Sequence, residues 1–171
     1  MSSRAEPQQI IHPFPPFVRE DARILILGSF PSVKSREQKF FYGHPQNRFW
    51  KVMAGVCGCP VPGTIDEKKA FLAQNHIALW DTIHSCTITG SSDSSIRDVV
   101  PNDLTPILDK ADIREIYCNG GTSYRLYEKY LRQQTGREAV KMPSTSPANA
   151  AWSVDRLMQA WSVIAEKLQD R

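Results

Sequence analysis

The sequence predicts an α/β protein, a three-layer sandwich whose central, mostly parallel four-stranded sheet is flanked by helices. Three observations predict it. Short apolar runs alternate with amphipathic stretches, the order of strand and crossover helix in a parallel sheet. The first run, Ile24-Leu25-Ile26-Leu27, is apolar throughout, as a strand buried on both faces requires. The 171 residues suit one domain, and 41% hydrophobic with 23% charged residues is an ordinary globular composition. Residues 22–171 are read as that single domain, preceded by an extended Pro-rich arm over residues 1–21.

In the arm, Pro13, Pro15 and Pro16 oppose helix, and Phe14 and Phe17 are expected to pack on the domain. The first strand ends at Gly28, and a loop from Ser29 to Asn47 follows, long enough to be functional rather than a plain connection. Phe49, Trp50, Met53, Val56 and Cys57 mark one helix face, with Asn47 in the N-cap position and Gly55 and Gly58 ending the helix. A second helix is expected over 66–75, and Ile77 to Asp81 reads as the second strand. Ser85 to Ser95 reads as a polar loop and Leu104 to Ala111 as a short helix. Ile113 to Cys118 is the third strand, turned by Asn119-Gly120-Gly121 into a helix that Thr122 can cap. Glu138 to Met142 is the fourth strand. From Ser153, Val154, Leu157, Met158, Trp161, Ile164 and Leu168 form one apolar stripe at helical spacing.

Composition excludes several classes. No run approaches the roughly 18 apolar residues of a membrane span, and residues 1–17 lack the apolar core of a signal peptide. A cytoplasmic location is expected. Cys57-Gly58-Cys59 is CxC, and Cys86 and Cys118 stand alone, so reduced thiols are the reading and no metal or other cofactor is expected. The formal net charge is +3, yet Lys34 to Lys51 alone holds Lys34, Arg36, Lys39, Arg48 and Lys51 against one acid, Glu37. That window is either a solvated loop or an anion-binding face, with phosphates as the anions.

In parallel sheets, ligands bind beyond the carboxyl ends of the strands. The loops there carry Gly28-Ser29-Phe30-Pro31-Ser32, then Tyr42-Gly43-His44-Pro45-Gln46-Asn47-Arg48-Phe49-Trp50, and later Ser144-Thr145-Ser146-Pro147-Ala148-Asn149. Phosphate-loop, dinucleotide and nucleophile-elbow motifs are absent. Aromatics beside bases fit nucleobase stacking with phosphate contact.

These segments resemble the uracil-DNA glycosylase superfamily. The block His44-Pro45-x-Asn47-x-Phe49-Trp50 is similar to that of the mismatch-specific uracil/thymine enzymes, while the GSFPS, HPFPP and STSPAN segments are similar to the hypoxanthine-DNA (deoxyinosine) glycosylase branch. The resemblance runs from about His12 to the end. Phe30 stands where mismatch-specific enzymes place a catalytic Asn, and Ser144 where uracil enzymes begin their second motif with His, which favours the hypoxanthine branch.

The resemblance implies a monofunctional DNA glycosylase that hydrolyses the bond between a deaminated base, hypoxanthine preferred, and deoxyribose in base excision repair. Residues 22–171 would then be the glycosylase domain, acting as a monomer on damaged DNA with no obligate protein partner and no membrane. Asn47 is the expected catalytic residue, and the same residue suits a plain helix cap. Tyr42, Phe30, Asn119, Gly28 and Ser29 are the expected base-binding set, with Tyr42 stacking on the base and Phe30 lining the pocket. His44, Lys34, Arg48, Ser144, Thr145, Ser146, Pro147, Ala148 and Asn149 are the expected DNA contacts, with Ala148 and Asn149 as a wedge into the vacated stack. Asp81 and Asp93 can orient the site, although a solvated or capping role is common for Asp. A G:U/G:T mismatch-specific uracil/thymine enzyme, a non-catalytic reader of damaged DNA and a small-molecule nucleoside hydrolase remain the alternatives.

Overall fold

The computed structural model describes residues 6–169. Its centre is a parallel four-stranded sheet in the order β3-β2-β6-β7, formed by Ile24–Gly28 (β2), Ile77–Asp81 (β3), Glu115–Asn119 (β6) and Val140–Met142 (β7). All five residues of β2 and of β3 are buried, which explains their continuous apolar runs. From β2 the chain crosses one way to β3, and from β6 the other way to β7. Right-handed crossovers in opposite directions place their helices on opposite faces, so the sheet is covered on both sides.

The first crossover holds Val33–Gln38 (α1), Phe49–Cys57 (α2) and Ile65–Gln74 (α3). Thr64 caps α3 in a reciprocal capping box with Glu67. Thr105–Lys110 (α4) precedes β6. The second crossover is Gly121–Leu126 (α5), a π-helical turn over Tyr127–Leu131 and Arg132–Thr135 (α6). Val154–Trp161 (α7), capped by Ser153, packs on α2, and Ala165–Leu168 (α8) closes the chain. Gly55 lies inside α2 against Met158, and only Gly58, at φ 67°, ends that helix.

The structure corrects several expectations. The arm is not merely extended, and its first residues, 1–5, lie outside those described. Pro7–Ile11 (β1) pairs antiparallel with Ile83–Thr89 (β4), which pairs with Arg97–Pro101 (β5) in a second, three-stranded sheet. Thus the stretch from Ser85, read as a polar loop, begins in a strand; its Ser and Thr residues alternate with buried Cys86 and Ile88. The long loop after Gly28 contains α1, and Gly120 rather than Thr122 caps α5. Farther along the arm, Phe17 exchanges two backbone hydrogen bonds with Leu79, 3.0 and 2.9 Å, and Phe14 is buried.

The two sheets meet at one corner. The N–H of Thr82 donates to Gly28 O at 2.8 Å, and the Asn102 amide donates to the carbonyls of Asp81 and Ile83 at 2.8 and 3.0 Å. These bonds fix the bend between β3 and β4 and aim the Asp81 side chain across β2.

Candidate active site

Gly28, Asp81 and Asn119 end three neighbouring parallel strands, and two loops lie over them. One loop carries Tyr42, His44 and Asn47; the other is the 143–152 segment. A single chain of hydrogen bonds joins the loops. The Asn119 amide donates to Thr145 Oγ1 at 3.0 Å, and that hydroxyl donates to Asn47 Oδ1 at 2.8 Å. Asn47 Oδ1 also accepts the N–H of Phe49 at 2.9 Å, and Asn119 Oδ1 accepts the N–H of Thr145 at 3.0 Å. A backbone N–H only donates, so the Phe49 bond fixes which side of the Asn47 amide is oxygen. Both lone pairs of that oxygen are occupied. The Asn47 NH2 group has no partner among the described residues and is the part of the side chain left for a ligand.

Several expected roles change here. Helix α2 begins at Phe49, so the cap position belongs to Arg48, and Asn47 satisfies the first helical N–H from one residue farther back. Thr145, expected on phosphate, is fully buried with both polar groups engaged and acts as the bridge between the loops. Arg48, also expected on phosphate, is spent on the second loop: its guanidinium donates to the carbonyls of Thr145, Ser146, Asn149 and Trp152. Five donors in a rigid fork suit a cluster of carbonyls at a loop, where no other cation shape would reach them all.

The rest of the second loop is ordered by its own side chains. Ser144 Oγ accepts from the N–H of Ser146 at 3.1 Å, Ser146 Oγ from that of Ala148 at 3.2 Å, and the Asn149 amide donates to Ser144 O at 3.0 Å. Pro147 is half-buried and Ala148 is exposed at the tip. In the first loop His44 Nδ1 accepts from the N–H of Gln46 at 3.1 Å, which fixes the tautomer with its proton on Nε2 and leaves that N–H free. Of the basic window, Arg36 is held by the carbonyls of Pro31 and Gly90, and Lys34 pairs with Glu37 at 3.6 Å on the surface. Lys39 and Lys51 are exposed.

On the opposite side of the strand ends some polar atoms lack hydrogen-bond partners. Asp81 Oδ2 takes a bond of 2.6 Å from His12 Nε2, while Oδ1 crosses over Gly28, where an added Cβ would lie 2.5 Å from it. Gly28 is therefore required by close approach rather than by its dihedral angles. The Tyr42 hydroxyl converges on the same point, 3.3 Å from that Cβ position, and is buried without a hydrogen-bond partner. Burial, reinforced by the Asp81 charge and partly offset by the nearby Asn119 amide, pushes the Tyr42 phenol well above its ordinary value, so it stays neutral. Its ring stacks on Phe49 with centroids 4.0 Å apart, so one face is already covered. Ser29 Oγ donates to both Asp93 oxygens at 3.1 Å. Asp93 is exposed as a residue while its carboxyl meets the Ser29 hydroxyl, and burial of that carboxyl, with the Asp81 charge, raises its pKa against the pull of Ser29. Phe30 does not line the cleft with its ring: it is buried in the smaller core with Ile83, Cys86, Ile88 and Leu126, because β4 offers an apolar face there.

Tyr42, His44 and Asn47 open onto a cleft of about 480 Å³ whose far wall holds Lys51 and Lys68. Among the described residues no three His, Cys, Asp or Glu side chains are grouped to hold a metal ion, and no helix is long and apolar enough to cross a membrane.

The family description for the uracil DNA glycosylase superfamily matches residues 15–166. The chain belongs to that superfamily. It is 35% identical over 144 residues to a hypoxanthine DNA glycosylase of Methanosarcina acetivorans, covering 84% of this chain and 90% of that one. It is 32% identical over 137 residues to a hypoxanthine DNA glycosylase of Methanosarcina barkeri, covering 80% and 86%. A solution NMR structure of a candidate uracil DNA glycosylase from Methanosarcina acetivorans superposes with a TM-score of 0.77 at 33% identity, over 94% of this chain and all of that one.

The structure sets Gly28 and Tyr42 beside Asp81, joins Asn119 to Asn47 through Thr145, and adds His12, which the sequence places in the arm. One signal was available: Asp81 ends an otherwise apolar, fully buried strand, and a buried carboxylate needs a partner.

Proposed function

We propose that this chain is a monofunctional DNA glycosylase that releases a deaminated base, hypoxanthine above all, from DNA and leaves an abasic site. One observation carries the reading: the Asn119–Thr145–Asn47–Phe49 chain, which holds the Asn47 NH2 group free at the ends of the parallel strands. The names of the two Methanosarcina relatives support the choice of base.

Hydrolysis of an N-glycosidic bond passes through an oxocarbenium-like state. The C1′–N9 bond breaks with its electron pair going to the purine, and water supplies the new oxygen at C1′. The catalytic need is a donor for the charge that builds on the base. Asn47 supplies it: its oxygen is engaged twice, so it is no base, and its NH2 group is preorganised at no cost during the reaction. Tyr42 offers the ring face not covered by Phe49 to the extruded base. His44 Nε2, Lys39 and Lys51 at the rim meet phosphates, and the Pro147–Ala148 tip enters the stack the base leaves.

The test is a set of duplexes, each with one hypoxanthine, uracil, xanthine or undamaged base, scored for alkali-labile sites, with free deoxyinosine as control. Release of hypoxanthine from duplex but not from the free nucleoside is expected, with strand cleavage appearing only after alkali. Binding without release of any base overturns the enzyme reading, and release from the free nucleoside overturns DNA as the substrate.

A further inference from the structure

The strand ends hold a second carboxyl group whose surroundings differ from those of Asp81. Asp81 Oδ2 takes a bond of 2.6 Å from His12 Nε2. Asp93 has no such partner. Among the described residues no Arg, Lys or His pairs with it, and its two oxygens share the one hydroxyl hydrogen of Ser29, at 3.1 Å each. It opens the short turn Asp93–Ser95 between β4 and β5. The loop after β2 pins that tip at three points: Ser29 on Asp93, the Val33 N–H on Ser91 Oγ at 2.9 Å, and the Arg36 guanidinium on Gly90 O at 3.1 Å. The carboxyl is thereby fixed at the strand ends, within electrostatic reach of Asp81 and of the Tyr42 hydroxyl, which is buried without a partner. A fixed carboxyl without a cation, beside a second carboxylate and an unmatched hydroxyl, calls for a functional explanation.

We propose that Asp93 is the general acid that protonates N7 of the leaving purine; the proposal rests on the glycosylase reading above. Depth decides which part of the base Asp93 meets. An extruded nucleotide enters base first, with sugar and phosphates at the rim. The Asp81 side chain is 6% exposed and lies deep, whereas Asp93 is exposed as a residue and lies nearer the rim. The part of a purine nearest the rim is the five-membered ring that carries the sugar, and its free nitrogen is N7. A protonated carboxyl keeps one oxygen as acceptor for Ser29 and offers its O–H to that nitrogen.

The step balances. The Asp93 proton passes to N7, the C1′–N9 bond breaks with its electron pair going to the purine, and the base leaves neutral. Water adds to C1′ and gives its proton to the Asp93 carboxylate, which restores the acid. The neighbours favour the protonated start: burial and the Asp81 charge from β3 raise the Asp93 pKa, and the Ser29 bond opposes them. Tyr42, from the loop before α2, and Cys86, from β4, also face Asp93, and Arg36 of α1 lies beside Cys86 with its guanidinium on carbonyls.

The experiment measures single-turnover release of hypoxanthine, and of 7-deazahypoxanthine in which C–H replaces N7, from otherwise identical duplexes as pH is raised. Wild type, D93N and S29A are compared, with melting temperatures. An acid works only while protonated, so wild-type hypoxanthine release should fall as pH rises through the Asp93 pKa. D93N keeps an acceptor for Ser29 but has no acidic proton; its release should be about a hundredfold slower and should lose that fall. S29A removes the bond that favours the charged carboxylate, so the fall should move to higher pH. Wild type should release 7-deazahypoxanthine about a hundredfold more slowly than hypoxanthine. The assignment is overturned, with the glycosylase reading intact, by D93N within about threefold of wild type, by a slow D93N that keeps the wild-type fall, or by equal release of the two bases. If D93N does not fold, S29A decides: an unmoved pH midpoint overturns the proposal. A wild type that releases no deaminated base overturns both.

Discussion

The two sides of the candidate site differ in how their polar atoms are used. On the Asn47 side nearly every donor and acceptor has a partner: Thr145 is fully engaged, Asn119 holds it twice, and Arg48 ties down four carbonyls. On the Asp81 side the Tyr42 hydroxyl, His12 Nδ1 and Asp81 Oδ1 are bare. A saturated network is stiff and holds one geometry, whereas bare buried groups store an unmet demand that a ligand can satisfy. The first side positions a donor; the second is shaped to be completed. Substitutions on the saturated side should therefore lower stability and rate together, and on the bare side the two should separate.

The largest effect is expected at Asn47. N47A removes the free NH2 group and the acceptor of two bonds, and base release should fall on the order of a hundredfold, about 3 kcal/mol of transition-state stabilisation, with duplex binding kept. N47D keeps an oxygen for Phe49 and Thr145 but has no donor. It should melt near wild type and release base as slowly as N47A. A folded N47D with near-wild-type single-turnover rates would remove Asn47 from the chemistry and leave it a loop fastener.

Arg48 comes next. R48K keeps the charge but not the planar fork, so it can satisfy at most part of the four-carbonyl cluster. Half-buried carbonyls left without donors should cost about 1–3 kcal/mol in chemical denaturation, and base release should fall about tenfold as the 143–152 loop loosens. If instead R48K is as stable as wild type and only binds DNA less tightly at high salt, Arg48 acts on phosphate and the staple is incidental.

The parts of this site legible in the sequence were those with local signals. Continuous apolar runs marked the first two strands of the parallel sheet and shorter, charge-interrupted stretches the other two, and the spacing of Tyr42, His44 and Asn47 before Phe49 marked the loop. The second sheet was hidden because β1 lies in a Pro-rich stretch and β4 interleaves Ser and Thr with Cys86 and Ile88; its pairing is long-range, as Ile10 opposite Cys86 illustrates. The same distance concealed the role of His12, 69 residues from Asp81. The bonds that engage Thr145 and Arg48 within the chain were hidden for a related reason. Residue type predicts that Arg and Thr can hold phosphate, but whether their donors remain free depends on where a loop about a hundred residues away comes to rest.

The smallest effect, and the sharpest contrast between the two sides, is expected from Y42F. The hydroxyl is buried without a partner, so its removal takes away a desolvation penalty instead of a bond. The ring and its stack on Phe49 stay in place. Y42F should be more stable than wild type by about 1 kcal/mol, a rise of roughly 2–4 °C in melting temperature for a chain of this size. The gap should widen above pH 10. There the unfolded chain ionises its tyrosine, while burial keeps the folded phenol protonated, so wild-type stability falls with rising pH through a term that Y42F lacks. Hypoxanthine release should stay within about tenfold of wild type, because the ring face offered to the base is kept. Thermal melting at pH 7 and at pH 10.5, set beside single-turnover rates, checks both halves. A variant that melts lower than wild type at pH 7 would mean the hydroxyl is already satisfied in the free protein, and the distinction between a saturated and a waiting side would fail.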